Sequence, residues 1–160
     1  MMQTDVKSYH ASASGVATTN LVRLKNVLVT TGTVSARNMA VADPTVSKSG
    51  TWSRTGTLVT VTINNNGLTN GQRVFLDVAA GTTMRDGVYE VSNVATNTFT
   101  VTVGSATTNG NVTMYAVVLA EFDSSNATSF YTLIPGEGIL AEEGIYVGLP
   151  ADVTTTLFYG

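Results

Sequence analysis

Apolar and polar positions alternate with a period of two along most of the chain. In TLVTVTI, Val59, Val61 and Ile63 share one phase, and Thr60 and Thr62 the other. In NTFTVTV, Phe99, Val101 and Val103 oppose Thr98, Thr100 and Thr102. In RVFLDV, Val74, Leu76 and Val78 oppose Arg73, Phe75 and Asp77. This pattern predicts antiparallel strands with one dry and one wet face. Threonine on the wet face keeps β propensity without adding charge. No segment sustains a 3.6-residue apolar period, and even the Ala/Ser-rich stretch from 7 to 18 reads as an extended arm or loop.

Turn residues fall between the runs: NNNG at 64–67, TNG at 69–71, RDG at 85–87, ATN at 95–97 and TNG at 108–110. Asn-Gly and Asp-Gly pairs tolerate the positive φ of tight hairpins. Strands at this spacing predict an all-β sandwich or barrel. Two stretches depart from the pattern. VTMYAVVLAEF, 112–122, is apolar in both phases and predicts one central strand covered on both faces. LVRLKNVLV, 21–29, changes phase between Leu24 and Val27, which predicts a β-bulge near Asn26.

Composition shifts after Asp43-Pro44, where the Ser/Thr/Gly-rich lead-in KSGTWSRTGT precedes hairpin-like runs that end near Asn111. The expected architecture is an antiparallel β-sandwich or barrel formed by the flanks 1–42 and 112–160. A second small β domain, 43–111, is inserted into it, and residues 1–20 form an N-terminal arm. That arm holds few large apolar groups, and laid across a neighbouring subunit it would add a strand to an open edge.

Charged residues make up only 12% of the 160 positions, against roughly 25% in ordinary proteins. Mean hydropathy is +0.19, yet no apolar run approaches the ~18 residues of a membrane helix. A surface so poor in charge suits a chain that buries much of itself in an assembly. The net charge of −3 and the scattering of eight Lys and Arg argue against a nucleic-acid partner. The chain has no Cys, which removes thiol chemistry and Cys-ligated zinc. The opening MMQTDVKSYHASASG has Asp5 early and lacks a secretory apolar region, so a cytoplasmic origin and no membrane association are expected.

Candidate chemistry is sparse. PGEGILAEEGIYV, 135–147, gathers Glu137, Glu142 and Glu143. Glu142 and Glu143 are adjacent, and Glu137 lies between glycines, so they read as turn carboxylates rather than the spaced pair of a glycosidase. Asp77, Asp86 and Asp123 are too far apart for a calcium loop, and His10 is the only histidine. No catalytic, cofactor or metal residues are assigned. Trp52 reads first as core, with interface and sugar stacking as alternatives. Tyr131, Tyr146 and Tyr159 join it as candidate interface or ligand contacts.

The flanks resemble short virion structural proteins of tailed bacteriophages, particularly those of cyanobacteria. The resemblance lies in MMQTDVKSYHASASG, LVRLK and IPGEGI…GIYVGL…TLFYG. The middle, GLTNGQRVFLDVAAGTTMRDGVYEVSNVATNTFTVTV, is similar to a small β module of phage tail and capsid proteins. Gly67, Gly71, Asp77, Asp86, Gly87, Tyr89, Val91, Asn97 and Phe99 match its pattern. The resemblance implies a non-enzymatic virion protein, expected to be a capsid decoration or cement protein. Its partners would be the major capsid protein, other virion subunits and copies of itself, a trimer by analogy with other decoration proteins. A tail adaptor or fibre-attachment protein is the first alternative. A glycan-binding host-adhesion module built on Trp52 and exposed tyrosines is another.

Overall fold

The computed structural model describes residues 6–31, 38–78, 84–104, 108–124 and 129–160. The strands in chain order are β1 (Lys7–Ala11), β2 (Gly15–Thr18), β3 (Val22–Thr31), β4 (Met39–Ala42) and β5 (Ser47–Thr55). They continue with β6 (Leu58–Thr62), β7 (Arg73–Val78), β8 (Gly87–Glu90), β9 (Thr98–Thr102) and β10 (Thr108–Tyr115). The last are β11 (Val118–Phe122), β12 (Phe130–Leu133), β13 (Ile139–Ala141), β14 (Ile145–Gly148) and β15 (Val153–Tyr159). The fold is all-β, with antiparallel pairing throughout and three sheets, one of them nearly closed into a barrel.

That barrel has strand order β8-β7-β10-β5-β6-β9. Beyond β8, Ser92 and Thr100 exchange backbone hydrogen bonds of 2.9 and 2.8 Å, which carries the pairing from the first strand round to the last. The dry phases of the sequence all point inward. Val59, Val61, Leu76, Phe99 and Val101 surround Trp52, and all are buried. Each such side chain stabilises the fold by roughly 1.5–3 kcal/mol.

The other two sheets are β1-β15-β3-β12, with β13 beside β12 on the same edge of β3, and β11-β4-β14-β2. They share one core, in which Leu24, Val27, Val29 and Leu157 of the first meet Met39, Val41, Ile145 and Val147 of the second. The phase change in β3 is a bulge, as its apolar pattern predicts. Phe158 faces Asn26 but Tyr159 faces Leu24, so Lys25 is the extra residue, and Leu24 and Val27 both reach the core.

Four expectations are corrected. VTMYAVVLAEF is two strands: β10 pairs with β5 and β7, whereas β11 pairs with β4 in another sheet. It is apolar in both phases because the chain passes from one core to another around Ala116 and Val117. Thr108-Asn109-Gly110 is the start of β10 rather than a turn. The lead-in KSGTWSRTGT is mostly strand β5, with its turn at Gly56 (φ 68°). Over its described residues the N-terminal segment forms strands rather than an unpaired arm: β1 pairs with β15 and β2 with β14 of the same chain. Residues 1–5 lie outside the described residues.

Candidate functional site

The barrel meets the flanking sheets at a dense junction centred on Phe75. This residue occupies the polar phase of RVFLDV, yet it is fully buried. It projects outward from the barrel because its neighbours on β7, Val74 and Leu76, fill the inside. β4 and β14 receive it. Both are short strands buried at every position, and their alternation serves two cores at once. Met39, Val41, Ile145 and Val147 point into the flanking core, whereas Ala40, Ala42 and Tyr146 pack with Phe75 and Val88. The small residues are a fitting requirement: a Cβ on Gly148 would lie 2.6 Å from the Phe75 ring.

Aromatic rings fill the rest of the junction. Tyr115 stacks on Tyr146 with centroids 3.7 Å apart and planes 14° from parallel. Phe75 is tilted against both, at 6.4 and 6.1 Å. Such pairs contribute about 0.5–1.5 kcal/mol each beyond area burial. The Tyr146 hydroxyl donates to Asp77 Oδ2 at 2.6 Å. Burial, reinforced by the Asp77 carboxylate, pushes the Tyr146 phenol far above its ordinary range, so it stays a neutral donor. Burial also raises the Tyr115 phenol.

A charged clamp closes the junction's rim. Arg73 of β7 grips Glu121 of β11 through Nε to Oε2 at 2.6 Å and Nη2 to Oε1 at 2.5 Å. Asn38 Nδ2 donates to the same carboxylate at 2.7 Å. Burial alone would raise the Glu121 carboxyl, but the Arg73 and Asn38 hydrogen bonds outweigh it and hold the group below its ordinary value. The bond to Glu121 in turn raises Arg73. Glu90 lies 3.9 Å from the guanidinium. On the barrel's outer face, Ser49, Thr51, Asp77, Asn111 and Thr113 line a shallow groove.

The residues singled out in the sequence fall in different places. Trp52, 2% exposed, lies inside the barrel and offers no ring to a sugar or a partner. Tyr159 is buried in the flanking core and Tyr146 at the junction, so neither is an accessible contact. Tyr131 is 57% exposed on β12, beside Leu133 at 65%. Glu137, Glu142 and Glu143 stand exposed in the turns before and after β13. Glu137 pairs with Arg23 at 3.8 Å, and its carbonyl accepts from Lys25 Nζ at 2.6 Å. Exposed His10 shares a hydrogen bond with Thr156 Oγ1 at 3.0 Å. Among the described residues, no three His, Cys, Asp or Glu side chains gather as metal ligands would.

Sequence reasoning missed Phe75, Tyr115 and the Arg73–Glu121 clamp. The available signal was an aromatic in the wet phase of an otherwise regular alternation. No protein-family model, curated protein or solved structure matches the chain.

Proposed function

We propose that this chain is a non-enzymatic structural protein of a bacteriophage virion, a decoration or cement protein that reinforces the capsid through contacts between subunits. It would be made in the host cytoplasm and assemble with the major capsid protein, other virion subunits and copies of itself. The flanks form its anchoring β-sandwich, and the barrel is an inserted domain that projects as a knob. The insert would run to about Tyr115 rather than Asn111, because β10 pairs with β5 up to that residue.

The observation that carries this reading is the junction. Ring stacking, the fit of Phe75 against Gly148 and the Arg73–Glu121 clamp hold the barrel rigidly on the flanking sheets. A protein that transmits force between neighbours needs such a fixed connection, because a packed interface resists shear far better than a tethered one. The charge-poor composition and the motif resemblance support the same role. Burial of Trp52 removes the only indole from a glycan-binding reading.

The test is immunogold labelling of purified particles with an antibody to this chain. Label spread over the head, in many copies, is the expected result. Label confined to one vertex or to the tail would replace decoration with the adaptor reading, and unlabelled particles would remove the virion reading altogether.

A further inference from the structure

We propose that β12 is a two-fold contact between copies of this chain, with the symmetry axis passing beside Thr132. This deepens the assembly reading above, which gives copies a reason to meet, and it identifies the surface through which they do so.

β12 lies at the end of its sheet, and no described strand pairs with its outer side. Its inner side faces β3 in the register Phe130–Val29, Tyr131–Leu28, Thr132–Val27 and Leu133–Asn26. Ile134 N donates to Lys25 O at 2.9 Å. Backbone groups in antiparallel pairs alternate in direction. Ile134, Thr132 and Phe130 therefore turn their N–H and C=O toward β3, and Tyr131 and Leu133 turn theirs outward. Among the described residues, these four strong hydrogen-bonding groups on one short edge have no partner.

Those four groups are self-complementary. Antiparallel pairing about Thr132 places Tyr131 opposite Leu133 of a second copy, and Leu133 opposite its Tyr131. Every outward N–H then meets an outward C=O, and the contact gains four backbone hydrogen bonds. The side chains fall into register as well. On the outer face, exposed Tyr131 and Leu133 pair across the axis next to Leu28, which is 36% exposed. On the inner face, Phe130 meets Ile134, and both already pack against the core. A one-residue slip would set each side chain against the opposite face of its partner.

Charge points to the same occupant. Natural edges are guarded by Lys, by other inward charges or by Pro within the strand. The opposite end of this sheet, β1, carries Lys7 and His10. From Ser129 to Ile134 there is no charge and no proline. Two chains of net charge −3 thus meet through a neutral segment. The contact is two-fold, so a three-fold ring of copies would need a different surface.

The chain lacks Cys, which makes cross-linking a direct probe of register. Thr132 would face itself across the axis as a non-hydrogen-bonded pair, with Cα atoms about 4.5 Å apart and within disulfide reach. Sedimentation velocity of the full chain at about 100 µM, a level suited to a small interface, is expected to show dimer. Leu133→Lys should return it to monomer with an unchanged thermal melt, since Leu133 is already exposed. Thr132→Cys should oxidise to a covalent dimer, and Tyr131→Cys should not. A wild-type monomer, a dimer indifferent to Leu133→Lys, or cross-linking through Tyr131→Cys in place of Thr132→Cys would each overturn the proposal. A monomeric protein whose antibody still labels phage heads would remove this contact and leave the decoration reading intact.

Discussion

Trp52 reads first as core in the sequence and lies in the barrel core, but the strand that carries it is hidden by its surroundings. In KSGTWSRTGT the positions that turn inward on β5 are Lys48, Gly50, Trp52 and Arg54, so only one of four is a large apolar group. The polar members are accommodated near the barrel's ends. Lys48 Nζ bonds the Asn65 carbonyl, and Arg54 Nε donates to Gly56 O at 3.1 Å. Long basic side chains can lay their stems along apolar surface and satisfy their heads on backbone carbonyls, which hides a strand from hydropathy patterning. Trp52→Ala is expected to cost about 3–5 kcal/mol, the usual penalty for emptying an aromatic site in a core. Urea denaturation measures this. A variant as stable as the wild type would place the indole outside the core and reopen the glycan platform.

At the scale of elements, legibility depended on how many cores a strand serves. β6 and β9 line one core with one face; in β6 the alternation in sequence matches burial, and in β9 only Thr100, bonded to Ser92 and Asn93, is buried against it. β3 was legible even with its bulge, because Leu24 and Val27 belong to the same core and the phase change is visible. β4, β14 and the 112–122 stretch feed two cores, so both phases are apolar and neither boundary nor partner can be read from them. β1 and β2 failed for the opposite reason. They are edge strands that add only small side chains such as Ala11 and Ala17, with the flank of Tyr9, to the core. The bulge gives this scale its prediction. Deleting Lys25 would leave Leu24 and Val27 two residues apart, in the regular alternation that keeps Val22, Leu24, Val27 and Val29 on the core face opposite β15. The loss is then confined to the bonds that Lys25 makes to the Glu137 carbonyl and the Ile134 N–H, about 1–3 kcal/mol together. The deletion variant should therefore fold and melt moderately below the wild type, as followed by circular dichroism. Lys25→Ala, which keeps the bulge, should lose less. A deletion variant that fails to fold would mean that the bulge itself, and not only the phase it corrects, is needed by β3.

For the whole molecule, the question is what couples the barrel to the flanking sheets, and pH can address it. Glu121 is held below its ordinary value of 4.5 by Arg73 and Asn38. The unfolded chain therefore takes up this proton at a higher pH than the folded one. Its stabilising contribution is complete above about pH 4.5 and is lost as pH falls through the lower folded value. Arg73 is about half exposed, so the clamp is worth only about 1 kcal/mol after solvent screening. Asp86 runs the other way. Burial raises it above 3.8 despite its bond to Val78 N, so its contribution is present at low pH and is lost as pH rises through the raised value. The two trends overlap, and a raw acid melt of the wild type would blur them. The difference between wild type and Glu121→Gln cancels Asp86 and leaves the clamp. That difference should be a few degrees in Tm near pH 6 and should shrink as pH falls below about 4.5 and through the lower folded value. A constant difference across this range would mean that the Glu121 charge contributes nothing to the coupling. The ring stack and the fit of Phe75 would then hold the barrel on the sheets by themselves.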